Sequence, residues 1–359
     1  MTVLHRAAIP SQGWLHRPGP VALRDVGPLT WIPVGAATGL LVLTLAAAPA
    51  ATALALPIAV VGGLLGLPHG AVDHLLPRWL ESGRRRPGSA PSSRSSRSSR
   101  SSRSRILRES GFVLFYVASA VAASAALILA PTPTLTAFLV ISAAHFGWGE
   151  VVTGAERGER AAHVRPDSLL VALAFGLVTV GLLVWGHPDS TDPYLRAMSP
   201  VVADAVTASR SVGVALTITS VVVALVVLSV QRRTLDAAEL ALLTAVFVVC
   251  PPLAAFGVYF GLWHAVRYSG RLLDLVRADH ARAEHPRGGP PDPGWGPACS
   301  HLARLSGWPT AIAVAGIVAI WALRDVASLQ AVVSVLLAVT FPHAAVVAGL
   351  DRRQERRHG

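Results

Sequence analysis

Apolar residues form long runs along this 359-residue chain, and short polar, proline- or arginine-containing segments separate the runs. Most runs are about 15–25 residues long, the length with which an α-helix crosses the roughly 30 Å apolar layer of a bilayer. The pattern therefore predicts an all-α, polytopic bundle of about ten membrane spans, within a range of eight to ten. The spans are expected at about 30–48, 51–74, 110–130, 133–150, 168–186, 209–230, 237–251, 253–270, 308–323 and 328–349.

Prolines mark several of the predicted turns between neighbouring spans. Proline interrupts the hydrogen-bond ladder of a helix, so Pro49, Pro131 with Pro133, and the pair Pro251 and Pro252 are expected between helices. The double proline could instead kink one long helix, which would reduce the count to nine spans.

The arginines favour ten spans over nine. The chain has no lysine, so its net charge of +11 comes from 31 arginines against 20 acidic residues. With a cytoplasmic N-terminus, ten spans leave only Arg196, Arg210 and Arg324 of the 31 outside, as the positive-inside rule requires. Nine spans would put the arginine-rich C-terminus outside. We therefore expect a multi-pass plasma-membrane protein with both termini in the cytoplasm.

The remaining polar segments define the domain organisation. Residues 30–350 are predicted to form one membrane-embedded domain, with a cytoplasmic segment at 1–29 and a basic tail at 351–359. An Arg/Ser-rich linker at 82–108 interrupts the domain, and it is expected to be disordered because it has almost no apolar surface to bury. The arginines lie between apolar runs rather than on one folded face, so the lipid bilayer is an expected partner and nucleic acid is not.

Five of the 13 histidines fall inside predicted spans. They are His69 and His74 in the second span, His145 in the fourth, His264 in the eighth and His343 in the tenth. All four spans run inward, and each histidine lies in the inner part of its helix. One intramembrane histidine could simply bond a neighbouring helix, but several at one depth are costly to bury separately. Neutral imidazole binds iron, zinc and copper well, so the pattern predicts a metal site.

Polar neighbours of these histidines are expected to support the site. Asp73 follows His69 by four residues and can orient it or bond a neighbouring ligand. His74 can be a plain interfacial residue or take a direct role.

Two further spans carry such neighbours. Glu150 ends the fourth span and can either support the site or anchor the helix at the interface. Tyr268 shares a helical face with His264, whereas Arg267 is expected to be an interfacial anchor.

The available donors narrow the chemistry. Cys250 and Cys299 are far apart and indicate neither a thiolate site nor a disulfide scaffold. All-imidazole ligation suits ferrous iron that activates O₂ in an apolar cavity, which could accept a long hydrocarbon from the bilayer. Three alternatives remain open: a transporter or proton relay that uses the same histidines and Asp73, a zinc-dependent intramembrane lipid hydrolase, and a bis-histidine haem protein.

Four segments, GLPHGAVDH, AAHFGWGE, WHAVRY and FPHAAVV, occur in this order on separate predicted spans. Together they resemble the Brp/Blh family of bacterial and archaeal β-carotene 15,15′-dioxygenases, membrane enzymes that split β-carotene centrally into two retinals. The resemblance covers about residues 30–350 apart from the linker, and PHGAxDH is its most specific part. It implies a catalytic domain that uses Fe²⁺ and O₂ on β-carotene or a related polyene and supplies retinal to a microbial rhodopsin.

The resemblance also implies roles for individual residues. His69, His145 and His264 match family histidines that are implicated in iron binding. The family motif of the third segment resembles His-Ser-x-Arg-His, and this chain has Tyr268 at the position of the second histidine. His343 is therefore favoured as the fourth metal ligand, with Tyr268 as the alternative ligand or as a hydrogen-bond donor. The residues expected to take part in catalysis without being preferred ligands are Asp73, Glu150 and Tyr268.

Overall fold

A computed structural model describes residues 27–76, 97–157, 167–284, 295–323 and 339–351. Within these ranges the chain is helical apart from short turns, which confirms the all-α class. The helices are α1 Gly27–Ala46, α2 Ala48–Ala53, α3 Ala55–Ala71, α4 Arg97–Leu129, α5 Pro131–Arg157, α6 Ser168–Gly176, α7 Pro188–Met198, α8 Pro200–Val230, α9 Thr234–Val249, α10 Pro252–Val258, α11 Ala265–Glu284, α12 Trp295–Leu323 and α13 at 339–351.

Two stretches of π-helix extend this set, Leu177–Gly186 after α6 and Tyr259–His264 between α10 and α11. A single 3₁₀ turn, Asp73–Leu75, follows α3. π-Helices are uncommon and occur frequently at functional sites, and one of these two segments ends at His264.

Four helical segments of the described chain are long and apolar enough to cross a membrane, which supports a membrane protein. They are Ala55–Leu75, Pro131–Ala155, Ser168–Gly186 and Pro200–Val230. Shorter apolar helices occur at Thr30–Ala46 and Val117–Leu129, within two more of the expected spans. The count of ten spans and the cytoplasmic termini stay predictions, and residues 324–338, which include the start of the expected tenth span, lie outside the described ranges.

The expected proline turns lie at helix boundaries. α4 ends at Leu129 and α5 begins at Pro131, while α9 ends at Val249 and α10 begins at Pro252. The double proline thus separates two helices and does not kink one. Proline suits the first position of a helix because the N–H that it lacks would have no intrahelical partner there.

The last residues of the predicted linker are helical in the structure. Residues 97–108, expected to be disordered with the rest of 82–108, form the first turns of α4. Arginine is a good helix former, and extending an existing apolar helix needs no new nucleus, so these residues can continue it. Residues 77–96, which hold the rest of the linker, lie outside the described part of the chain.

The segment before the sixth expected span is also more helical than the hydropathy pattern predicts. α7 occupies residues expected to be a loop, and α8 begins at Pro200 rather than near residue 209. The Ser199 side chain accepts a hydrogen bond from the Val202 backbone N–H at 3.3 Å and caps α8. Capping residues start a helix without any apolar pattern, which explains the early start.

Glycines allow the helices that carry the histidines to pack closely. A Cβ atom on Gly62 of α3 would lie 2.7 Å from the Cα atom of Gly257 in α10, well inside normal contact. Gly261 meets the same part of α3, and a Cβ there would lie 2.7 Å from the Gly62 Cα atom. Small residues let membrane helices approach in this way. The contact holds the helix of His69 against the helical segment of His264.

Candidate metal centre and its cavity

Three imidazoles from three distant parts of the sequence meet in the interior. His69 lies in the last turn of α3, His264 ends the π-helical segment, and His343 lies in α13. All three are buried, and each offers a nitrogen within 4.8 Å of those of the other two. These three residues can therefore hold a metal ion.

The hydrogen bonds of two rings determine which nitrogen is free. Nδ1 of His69 contacts the backbone carbonyl of Gly66, and Nδ1 of His343 lies 2.7 Å from Oδ2 of Asp73. A carbonyl and a carboxylate oxygen only accept, so each Nδ1 carries the hydrogen and donates it. Nε2 of each ring then keeps its lone pair, the form of imidazole that binds a metal.

His145 of α5 joins the same cluster. Its ring centroid lies 5.0 Å from that of His264 and 5.2 Å from that of His343. Nε2 of His145, His264 and His343 are all buried without a hydrogen-bond partner among the described residues. Leaving buried polar atoms unpaired is costly, and a shared metal ion would satisfy them together. The donor set thus fits a metal bound by imidazole.

Asp73 supports a different histidine from the one next to it in the helical pattern. Its carboxylate bonds His343, which corresponds to the second of the two roles expected for it. α3 ends at Ala71, and Asp73 belongs to the 3₁₀ turn that follows. Asp73 therefore does not stand one α-helical turn after His69, as the i,i+4 spacing predicts. The Tyr268 hydroxyl donates to the other carboxylate oxygen of Asp73 at 3.4 Å. Tyr268 therefore contacts His343 indirectly, through Asp73, as well as through ring packing at 5.2 Å.

Glu150 hydrogen-bonds with residues beside the cluster rather than with its histidines. It accepts a hydrogen bond from the Trp263 indole N–H at 3.1 Å and forms an ion pair with Arg267. Arg267 is only 5% exposed and its guanidinium lies 4.2 Å from the centroid of the Trp263 ring, so the expectation of an interfacial anchor is wrong. The carboxylates of Glu150 and Glu239 both form ion pairs with Arg267, at 2.6 Å in the case of Glu239, and these pairs permit its burial.

The sequence pattern did not identify Glu239 of α9 as part of this network. Glu239 pairs with Arg267 and also with Arg157, and Arg157 lies 2.8 Å from Asp236. The sequence does indicate that Glu239 has a partner, because an acid inside a predicted span requires one. It does not indicate which residues are the partners, since they lie 28 and 82 residues away in sequence.

All four histidines line one cavity of about 510 Å³, a volume typical of a site for a small organic ligand. His74 lines it too, with Nδ1 3.0 Å from the Ala71 carbonyl oxygen. Phe146 and Phe260 flank His264, with ring centroids 5.0 and 6.5 Å from its own. The further lining residues are mostly apolar: Gly66, Leu67, Gly70, Ala71, Asp73, Val117, Trp308, Pro309, Ile312, Ala313, Val339 and Thr340.

Comparison with known proteins agrees with this combination of imidazoles and an apolar cavity. The sequence model of a family described as beta-carotene 15,15'-dioxygenase matches residues 60–351, the part that contains every histidine of the cluster. The chain belongs to the β-carotene 15,15′-dioxygenase family. It is also 28% identical over 348 residues to a protein of Halobacterium salinarum named probable beta-carotene 15,15'-dioxygenase Blh, covering 89% of this chain and 92% of that protein. No solved structure matches this chain.

Membership in the β-carotene 15,15′-dioxygenase family confirms the resemblance that four short segments indicated. It supports dioxygenase chemistry, for which the family name implies a carotenoid and O₂. It also favours the oxygenase interpretation over the transporter, hydrolase and haem alternatives.

Proposed function

We propose that this protein cleaves β-carotene, or a closely related polyene, at its central double bond with O₂ and releases two molecules of retinal. The observation that carries the proposal is the cluster of buried imidazoles with unpaired Nε2 atoms on an apolar cavity. Membership in the β-carotene 15,15′-dioxygenase family supports the same reaction.

We propose Fe²⁺ as the resident metal, with His69, His145, His264 and His343 as its ligands. When bound, ferrous iron supplies the activation of O₂, for which neutral nitrogen donors without thiolates are suited. Asp73 fixes the tautomer and orientation of His343 through the 2.7 Å hydrogen bond to Nδ1. Tyr268 holds the carboxylate of Asp73 from the other side and is a positioning residue in this proposal.

The reaction balances without any further reductant. The central carbon–carbon double bond breaks, and each of its two carbons takes one oxygen atom of O₂ to become an aldehyde. The protein binds the polyene in the apolar cavity, where Phe146 and Phe260 flank His264 and restrict where the chain can lie. The same walls exclude water from the reacting carbons.

Glu150 is proposed to act on the site through the backbone. It holds Trp263 and Arg267, which flank His264 in sequence, and so it fixes the end of the π-helical segment. We further propose a plasma-membrane location, with retinal passed to a microbial rhodopsin.

Expression in β-carotene-accumulating bacteria tests the reaction. We expect the cells to lose their colour and to form retinal, detected by chromatography. His264→Ala should abolish both effects, whereas His187→Ala, which removes a histidine bonded to the Phe247 carbonyl outside the cavity lining, should not. Persistent colour in cells whose purified protein contains iron would refute the assignment.

Ligation is tested separately by iron content. His343→Ala should abolish stoichiometric iron binding, whereas Tyr268→Phe should retain it because the phenol contacts Asp73 rather than donating to the metal. Full iron content in His343→Ala would exclude His343 as a ligand. Loss of iron in Tyr268→Phe would favour the phenol as one.

A further inference from the structure

The histidine cavity reaches the outer surface of the bundle between α4 and α12. Three of its lining residues are also among the exposed apolar residues: Val117 of α4 is 52% exposed, and Trp308 and Ile312 of α12 are 74% and 55% exposed. On α3 and α5, by contrast, the lining residues His69 and Phe146 are buried and His145 is half-buried. Val117, Trp308 and Ile312 therefore form a rim at which the cavity opens to the surface.

The chemistry of this rim matches a lipid environment. Val117, Ile312 and the neighbouring lining residues Pro309 and Ala313 carry no polar side-chain atom, and Trp308 has a single indole N–H. A polar solute would find only the Trp308 indole N–H as a hydrogen-bond partner among these side chains, whereas a hydrocarbon stays in an apolar environment when it moves to them from the acyl chains. Tryptophan, which has a large apolar ring system and one polar N–H group, is enriched where helices meet the membrane interface.

α12 also has a break in its hydrogen-bond ladder at this level. Pro309 lies inside the helix and has no N–H to donate to the carbonyl one turn before it. Helices bend most readily at such positions, and this one lines the cavity beside Trp308.

We infer that the gap between α4 and α12, defined by Val117, Trp308 and Ile312, is a lateral entrance through which a long apolar polyene moves between the bilayer and the histidine cavity. The identity of the polyene in this inference rests on the proposed function. The route into the cavity is bordered by α4 and α12, and Val117, Trp308 and Ile312 limit its width.

The test introduces larger side chains at the rim of iron-free, full-length protein. Because this protein holds no iron, the entry of the polyene is measured without its cleavage. Ile312→Trp and Val117→Trp narrow the entrance. Val318→Trp and Leu129→Trp are matched controls, because these residues are exposed and apolar on the same helices but do not line the cavity. Protein in lipid nanodiscs is mixed with vesicles that contain β-carotene, and uptake is followed by the change in the carotenoid absorption spectrum.

We expect each rim variant to slow both the uptake and the release of the carotenoid by roughly tenfold, the scale of an overpacked apolar contact, because an obstructed entrance hinders passage in either direction. Both controls should behave as wild type, and Trp308→Ala should accelerate uptake. Uptake at the wild-type rate in both rim variants, equal slowing in the controls, or no uptake by the wild type would overturn the inference.

Cleavage by the iron-loaded protein separates this inference from the proposed function. If the rim variants slow uptake but the loaded wild type forms no retinal, the entrance stands and the proposed reaction fails. If the wild type forms retinal and the rim variants match their controls in uptake and in kcat/KM, the reaction stands and the entrance fails.

Discussion

Replacement of Gly62 by alanine is expected to destabilise the protein and to disturb the metal site. A Cβ atom on Gly62 would lie 2.7 Å from the Cα atom of Gly257 and also close to the carbonyl carbon and oxygen of that residue. Carbon atoms normally approach to about 3.5 Å, so α3 and α10 would have to separate by most of an ångström. Backbone atoms cannot rotate away as a side chain can, and the helices themselves must move.

The magnitude follows from this displacement. Overpacking of a well-packed contact costs about 1–3 kcal/mol, so the free energy of unfolding should fall by that amount. His69 lies seven residues further along α3, about two turns, and moves with the helix. Because metal ligands must stay within about 0.2 Å of their preferred distances, the affinity for iron should fall as well.

Gly63→Ala is the matched control on the same helix, because a Cβ atom there meets nothing within 4 Å. Unfolding of purified protein in bicelles, followed by circular dichroism, gives the stability, and competition with a chelator gives the affinity for Fe²⁺. If Gly62→Ala and Gly63→Ala have the same stability and the same affinity, the close contact between α3 and α10 is wrong.

Three other predictions test the site and the packing. Asp73→Asn should lower the affinity for iron roughly 10–100-fold in chelator competition, and an unchanged affinity would show that the carboxylate does not orient a ligand. Arg267→Met should lower the free energy of unfolding by about 3–5 kcal/mol because it leaves Glu150 buried without its counter-charge, and the second change Glu150→Gln should recover part of that loss. In native membranes a maleimide should label the exposed Cys299 and leave the buried Cys250 unmodified until the protein unfolds; equal labelling of both would contradict the fold.

The sequence predicts the helices and the intramembrane histidines, because both depend on the composition of short segments rather than on distant contacts. A long run of apolar residues in a membrane favours a helix, since a helix satisfies its backbone polar groups within the run itself. Intramembrane histidines such as His145 are costly enough to indicate function wherever they occur. The prolines at α5 and α10 begin helices for an equally local reason.

The pairings were decided only by the tertiary structure. Whether Asp73 supports His69 or His343 depends on the 3₁₀ turn that ends α3 and on the packing of α13 beside it, neither of which a periodicity encodes. The sequence predicts that Arg267 lies at the interface, because the side chain of a lone arginine near a helix end normally extends to the lipid headgroups. Two carboxylates from other helices bury it instead.

The sequence by itself therefore determined that this is a helical membrane protein with several histidines within its apolar segments, since hydropathy and the cost of burial act residue by residue. The tertiary structure decided which nitrogen atoms converge, that Asp73 links His343 to Tyr268, and where the cavity meets the surface. Those features arise from contacts between residues as many as 270 positions apart, and such contacts are set by how whole helices pack.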